Sequence, residues 1–233
     1  MTPRCYALVP CAGVGARVAA AGPKQYAMLR GQPVVAHTLA ALAAVRGLTA
    51  TLVVLAADDR NFETCVPRSG FDRGWVARCG GATRAQSVAN GLDALSQRGV
   101  ADSDWVLVHD AARCLLQAAW VERLIDSCIG DEVGGLLALP LADTLKDAVS
   151  TASGERVATT LNRQGKWLAQ TPQMFRLGLL RQALAQAGPA VTDEASAVEG
   201  LGLSPRLVPG EYENLKITWP ADLALAERLL QTR

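Results

Sequence analysis

Short apolar runs alternate with amphipathic stretches along most of the chain. Near-continuous apolar runs predict buried strands at residues 6–10, 51–55, 75–79, 105–109 and 135–139. Between them, apolar residues recur every three or four positions, which predicts helices over about 34–45, after Thr83, and over about 118–128. This alternation predicts an α/β fold: three layers, with a Rossmann-like, mostly parallel sheet covered by helices on both faces.

Residues 141–167 depart from that rhythm. Val157, Thr159 and Leu161 alternate with polar or small neighbours, and residues 151–154 upstream have the composition of a turn. This pattern predicts a β-hairpin arm inserted at about 141–167 in a single domain that spans 1–233. A long excursion in a compact domain usually has a function, often as a lid or a subunit contact.

Composition and charge narrow the class of protein. The chain has 233 residues and a net charge of +1, which argues against a nucleic-acid or anionic-membrane surface. We find no apolar run long enough to cross a bilayer. Six scattered cysteines without C-x-x-C spacing disfavour a disulfide framework or a zinc site, so we expect a cytoplasmic protein.

A loop rich in small residues follows the first predicted strand. Gly13 and Gly15 begin a dinucleotide-binding fingerprint, but Val18 stands where the third glycine belongs. The P-loop pattern fails as well, because a proline directly precedes Lys24. What remains is a loop whose backbone amides can approach a ligand closely, with two cations, Arg17 and Lys24, that suit a polyphosphate.

Six stretches, in a fixed order, carry a resemblance over about residues 7–230. They are AGVGAR with PKQ (12–17 and 23–25), GGATRAQS (80–87), VLVHDAAR (106–113), TPQ (171–173), TDEAS (192–196) and NLKIT (214–218). Together they resemble the 2-C-methyl-D-erythritol 4-phosphate cytidylyltransferase family of the non-mevalonate isoprenoid pathway. Cys11, Ala82 and Cys114 depart from the residues usual in that family, and none of them replaces an expected cation.

The resemblance implies a reaction and its residues. A phosphate oxygen of a polyol phosphate attacks the α-phosphorus of CTP, and pyrophosphate leaves. The implied catalytic residues are Arg17, Lys24, Lys216 and Arg163. Those implied for the nucleotide are Pro10, Ala12, Gly13, Gly15, Gly80, Gly81, Ala82, Ser87, Asp110 and Ala111. Those implied for the polyol phosphate are Arg113, Thr144, Thr171 and Thr192. Mg²⁺ would bind mainly through the CTP phosphates, with Asp110 as a candidate ligand.

The resemblance and the arm together predict a homodimer with shared active sites, in which Arg163 serves the neighbour's site. Three other functions stay open. A ribitol 5-phosphate cytidylyltransferase would share most of these motifs. A nicotinamide-dependent reductase is disfavoured by the missing third glycine, and a non-enzymatic nucleotide-binding module would not need cations on several loops.

Overall fold

The computed structural model describes residues 3–13, 22–66, 71–188 and 191–232. The strands are β1 (Cys5–Pro10), β2 (Met28–Leu29), β3 (Gln32–Pro33), β4 (Leu48–Val54), β5 (Gly74–Ala77), β6 (Trp105–Val108), β7 (Gly134–Pro140), β8 (Leu145–Thr151), β9 (Gly154–Leu161), β10 (Trp167–Arg176) and β11 (Arg206–Pro209). The α-helices are α1 (Val34–Ala43), α2 (Phe62–Cys65), α3 (Arg84–Gln97), α4 (Ala118–Cys128), α5 (Leu177–Gln186), α6 (Glu194–Glu199) and α7 (Pro220–Gln231).

Seven strands form the central sheet, in the order β11-β7-β10-β6-β1-β4-β5. β1 runs parallel to both β4 and β6, β5 runs parallel to β4, and β11 runs parallel to β7. β10 is antiparallel to both of its neighbours, β6 and β7, so among these seven described strands it alone runs in the opposite direction. The predicted mostly parallel α/β sheet is confirmed.

The two faces of the sheet carry separate cores, because successive side chains of a strand point to opposite faces. Ala7 and Val9 of β1 pack in one cluster with apolar residues of α1 and α4. Tyr6 and Leu8 pack in the other cluster with residues of α3 and α5. Gly91 lets α3 lie close to the sheet, since a Cβ there would come within 2.7 Å of Val54 and 2.8 Å of Leu8.

The predicted arm is present as a hairpin of its own. β8 and β9 pair with each other in a two-stranded antiparallel sheet, and nearly all of their residues are exposed. Three apolar side chains of the arm are 41–63% exposed: Val149, Val157 and Leu161. The arm therefore leaves an apolar surface uncovered in the single chain. In the described part of the chain, no helix combines the length and apolar character needed to span a membrane.

Candidate active site

The carboxyl ends of β1, β4, β5 and β6 lie at one edge of the sheet, because these four strands are parallel. Asp110 comes just after β6 at this edge and is 7% exposed. Its Oδ2 lies 2.7 Å from the Lys216 Nζ, and its Oδ1 accepts a hydrogen bond of 2.8 Å from the Arg84 Nε. Burial alone would raise the pKa of this carboxyl, but the charges of Arg84 and Lys216 outweigh burial and lower the pKa well below its usual range. Asp110 is therefore an ionised carboxylate held between two cations.

Arg84 also binds a second buried acid. Its two terminal nitrogens donate to the Glu194 carboxylate at 2.6 and 3.0 Å, and the Glu194 side chain is 1% exposed. Arg84 is the first residue of α3, which begins where the Thr83 hydroxyl accepts a hydrogen bond from the Gln86 amide. Glu194 is likewise the first residue of α6, which begins at the capping residue Asp193. Two helix starts thus present an arginine and a glutamate to the site.

A buried hydroxyl fixes the backbone next to Asp110. The Thr171 Oγ1 accepts a hydrogen bond of 3.1 Å from the Asp110 amide and lies 3.0 Å from the His109 Nδ1. On the other side of the ring, the His109 Nε2 lies 3.2 Å from the Arg113 carbonyl. Complete burial lowers the pKa of His109 to about 4, so the ring is neutral. A carbonyl can only accept, so the Nε2 donates to it and the Nδ1 accepts from the Thr171 hydroxyl.

The segment that carries Lys216 is fixed by its own polar contacts. The side-chain Nδ2 of Asn214 donates to the Thr171 carbonyl at 2.8 Å. The backbone amide of Ile217 donates to the Ala112 carbonyl at 2.9 Å. The Lys24 Nζ reaches the same segment and donates to the Ile217 carbonyl at 3.1 Å. Two lysines that lie far apart in the sequence are thereby brought to one place.

The predicted nucleotide-binding loops also meet at this edge. Gly80 donates to the Leu55 carbonyl at 2.8 Å, and a Cβ at Gly80 would press against the Ala12 side chain and lie 2.8 Å from that carbonyl oxygen. Only glycine allows this close approach. The Ser87 hydroxyl accepts from the Gly81 amide at 3.0 Å and donates to the Thr83 carbonyl at 2.9 Å. The Ser87 hydroxyl therefore holds the glycine turn in shape.

The remaining predicted residues take several positions. Pro10 ends β1, Gly13 accepts a hydrogen bond of 2.9 Å from Gln25 through its carbonyl, and the Ala111 carbonyl accepts one from Thr38 at 2.9 Å. Ala82 lies beside the glycine turn.

Arg113 could have paired with Asp110. It donates instead to the carbonyls of Asn214 and Ala169, at 2.5 and 3.4 Å, and so joins the Lys216 segment to β10.

Two predicted substrate residues, Thr144 and Thr192, and the predicted catalytic residue Arg163 lie at the periphery of this cluster. Thr144 lies just before β8, Arg163 donates to the Ala142 carbonyl within the arm, and Thr192 lies two residues before α6. Gly15 and Arg17 lie outside the described residues. The structure thus gathers Lys24, Lys216, Asp110 and Thr171, while Arg163 and Thr144 stay on the arm.

Sequence reasoning did not assign a role to Arg84, Glu194 or His109. Each of them lies inside a stretch that carried the resemblance, so their motifs were the available signal. An arginine or a glutamate in the first turn of a helix is ordinarily a solvated surface charge, and only the fold shows that these two are paired and largely buried.

Comparisons with known proteins identify the family of this chain. A model of the 2-C-methyl-D-erythritol 4-phosphate cytidylyltransferase family matches residues 5–232. A cytidylyltransferase of that name from Laribacter hongkongensis is 56% identical, with 97% of this chain and 96% of the relative covered. The bifunctional enzyme IspD/IspF of Albidiferax ferrireducens is 59% identical over all of this chain, but the chain spans only 54% of that relative.

Solved structures give the same result. A crystal structure of a 4-diphosphocytidyl-2C-methyl-D-erythritol synthase aligns with a TM-score of 0.86 at 39% identity, with 99% of each chain covered. The 2-C-methyl-D-erythritol 4-phosphate cytidylyltransferase of Thermus thermophilus aligns with a TM-score of 0.77 at 32% identity, with 98% of this chain and 99% of that one covered. The family predicted from the sequence motifs is confirmed. This chain belongs to the 2-C-methyl-D-erythritol 4-phosphate cytidylyltransferase family.

Proposed function

We infer that this chain transfers CMP from CTP to 2-C-methyl-D-erythritol 4-phosphate, which gives 4-diphosphocytidyl-2-C-methyl-D-erythritol and pyrophosphate for isoprenoid precursor synthesis. Family membership supports this activity. The observation that carries it is the convergence of Lys24, Lys216 and Asp110 at the edge where the glycine loops meet. Two lysines beside loops of small residues suit a reaction between two phosphate groups.

The chemistry needs positioning and charge neutralisation more than proton transfer. A phosphate-monoester oxygen of the polyol forms a bond to the α-phosphorus of CTP while the bond to the pyrophosphate oxygen breaks. That nucleophile is largely a dianion near neutral pH, so no general base is required. His109 fits this account, because its ring is buried, neutral and bonded on both nitrogens. Lys24 and Lys216, with Arg17, would stabilise the negative charge on the crowded phosphorus and on the leaving pyrophosphate.

We propose Mg²⁺ as the cofactor, bound mainly through the CTP phosphates. Among the residues that the structure describes, no group of three or more His, Cys, Asp or Glu side chains could hold a metal ion by itself. Asp110 is an ionised carboxylate at the site and fits the role of a single protein ligand. When bound, Mg²⁺ would neutralise phosphate charge, and the lysines would orient the reacting groups.

Base selection would come from the glycine turn. The Gly80 and Gly81 amides are engaged by the Leu55 carbonyl and the Ser87 hydroxyl, so the carbonyls of this rigid turn are the groups that would accept from the base. Backbone groups that hydrogen-bond the exocyclic amine of cytosine would discriminate strongly against uracil, because the mismatched polar group would stay unpaired.

We further propose a homodimer with shared sites. The arm carries exposed apolar side chains at Val149, Val157 and Leu161, and a two-fold partner would cover them symmetrically. Arg163 would then serve the partner's site with a planar, permanently charged group suited to the polyol phosphate.

Mixed dimers test the shared site. Arg163→Ala and Lys24→Ala proteins should each be nearly inactive, and refolding them together should restore activity. Each mixed dimer then holds one intact site, with Lys24 from one chain and Arg163 from the other. Activity that stays flat, with mixed dimers shown to be present by mass, would contradict the shared site.

A pyrophosphate-release assay tests the proposed activity. The four nucleoside triphosphates are each tried with 2-C-methyl-D-erythritol 4-phosphate and with ribitol 5-phosphate. We expect release with CTP and the methylerythritol phosphate and much less with every other pair. Faster turnover with ribitol 5-phosphate would show that ribitol 5-phosphate is the substrate instead, and equal turnover of CTP and UTP would refute the base selection.

All six cysteines are free thiols, which supports our proposal of a cytoplasmic location.

A further inference from the structure

The two cations that hold Asp110 differ in how firmly they are themselves held. The Arg84 guanidinium donates from its two terminal nitrogens to Glu194 and from its Nε to Asp110, and its side chain is 28% exposed. The Lys216 side chain meets Asp110 through one atom, its Nζ, at the end of a flexible chain of four methylene groups, and it is 39% exposed. Arg84 is therefore a fixed partner of Asp110, and Lys216 is an exchangeable one.

We propose that Arg84, clamped by Glu194, is a positioning residue that keeps the Asp110 carboxylate in place while Lys216 leaves it for a phosphate oxygen of the substrates. This inference rests on the proposed function, since it assigns a role within that reaction. Arg84 touches neither substrate in this account. It acts through Asp110.

The charges of the cluster show why a fixed partner is needed. Asp110 and Glu194 are two acids, 9% and 1% exposed in their side chains, and Arg84 and Lys216 are the two cations that pair with them. If Lys216 moved to a phosphate without Arg84 present, Asp110 would become a buried carboxylate without any cation from the protein beside it. Such a group is costly, so it would turn towards water or draw Lys216 back. With Arg84 in place, Asp110 stays paired throughout.

The clamp has a second support in the backbone. The Thr171 hydroxyl accepts from the Asp110 amide, so main chain and side chain of Asp110 are fixed by different elements. Arg84 comes from the start of α3 and Glu194 from the start of α6, which places the clamp on two helices rather than on a loop. Groups that helices carry are held more precisely than groups that loops carry.

Three variants separate positioning from simple stability. Arg84→Gln leaves Glu194 as a buried, unpaired carboxylate, so it lowers the melting temperature. The double variant Arg84→Gln with Glu194→Gln removes that unpaired charge, so its melting temperature recovers towards the wild-type value. The control is Arg181→Gln, because Arg181 also faces two carboxylates, Asp93 at 2.9 Å and Asp102 at 3.8 Å, but on the surface of the protein.

We expect the double variant to keep its kcat about tenfold or more below wild type, since a misplaced group costs rate even in a folded protein. Its Kd for CTP, measured by calorimetry, should stay close to the wild-type value, and Arg181→Gln should match wild type in both. Recovery of kcat together with the melting temperature would overturn the proposal, because Arg84 would then only stabilise the fold. A raised Kd for CTP together with a wild-type kcat at saturating CTP would overturn it too.

Failure of the proposed function would be recognised separately. If wild type and Arg181→Gln both release no pyrophosphate from CTP and the methylerythritol phosphate, the proposed activity is refuted. The position of the Asp110 carboxylate in a crystal structure then tests the role of Arg84 by itself. A crystal structure of the double variant should show the Asp110 carboxylate displaced from its wild-type position. An unchanged carboxylate there would overturn the clamp whatever the reaction is.

Discussion

Replacing Thr171 by valine removes one hydroxyl at nearly constant volume. In the structure Thr171 is 4% exposed and its hydroxyl faces inward, where it accepts from the Asp110 amide at 3.1 Å and donates to the His109 Nδ1 at 3.0 Å. The family resemblance instead implies that Thr171 binds the polyol phosphate. The two roles predict different consequences for the same substitution.

The magnitude follows from the two partners that the substitution leaves behind. The Asp110 amide and the His109 Nδ1 would both stay buried without a hydrogen bond. Each unsatisfied buried group costs about 1–3 kcal/mol, so Thr171→Val should lower the free energy of unfolding by about 2–6 kcal/mol. Thr171→Ser keeps the hydroxyl and loses one methyl group, so it should cost about 1 kcal/mol.

Urea unfolding at pH 7, followed by circular dichroism, measures both variants against wild type. Steady-state kinetics on the folded proteins should show a lower kcat for Thr171→Val, because the backbone at Asp110 is released. A valine variant with wild-type stability and a raised KM for the polyol phosphate alone would contradict the structural role of the hydroxyl. The hydroxyl would then belong to the substrate, as the resemblance implies.

Lys24→Ala should lower kcat about a hundredfold or more while weakening CTP binding much less, because Lys24 acts on charge that develops at phosphorus. Rapid-quench kinetics measures the rate of the chemical step, and calorimetry measures the affinity for CTP. Burial holds the pKa of His109 near 4, against an ordinary 6.5, so between these two pH values the ring gains a proton on unfolding. The free energy of unfolding of the wild type should therefore fall by on the order of 3 kcal/mol from pH 6.5 to pH 4. The decline should be shallower in His109→Asn, and urea unfolding at each pH measures both. Cys11 is 2% exposed and burial raises the pKa of its thiol, so a thiol reagent at pH 8 should modify Cys65 first, and Cys11→Ala should keep wild-type turnover.

Apolar patterning predicted the parts of the fold that rest on local burial. The alternation of Tyr6, Ala7, Leu8 and Val9 between two cores is the two-sided burial expected of a central strand. Helix α4 begins and ends at the predicted residues, 118 and 128, because its apolar stripe is complete. β4 begins at Leu48, three residues earlier than predicted, since the exposed Thr49 interrupts the apolar run that marks the strand.

The strand order depended on pairings that no local pattern contains. β10 carries Gln170, Thr171 and Gln173, polar residues that suggest an exposed segment. All three are buried, because each finds hydrogen-bond partners in other elements, such as the Glu211 carbonyl for Gln170 and the Asp193 side chain for Gln173. The insertion of β10 between β6 and β7 was therefore not predictable from apolar periodicity.

The sequence indicated the outer groups of the candidate site but not the contacts that support them. Lys24 follows the glycine-rich loop, Asp110 follows the end of a strand, and Lys216 lies in a loop. Ligands of open α/β sheets bind beyond the carboxyl ends of the strands, so these positions indicate a site. Arg84 and Glu194 lie at helix starts that resemble ordinary surface turns, and their pairing needs the starts of α3 and α6 to be brought together by the fold. Gly15 and Arg17 lie outside the described residues, so their roles stay predictions.

In the proposed reaction, the phosphate of the polyol becomes bonded to the α-phosphorus of CTP. ³¹P NMR of the protein with CTP, Mg²⁺ and 2-C-methyl-D-erythritol 4-phosphate tests that bond directly. We predict that the monoester signal disappears while a pair of coupled diphosphate doublets and the pyrophosphate singlet grow in equal amounts. Loss of the CTP signals with the monoester signal unchanged, or CDP and inorganic phosphate as the products, would contradict the account.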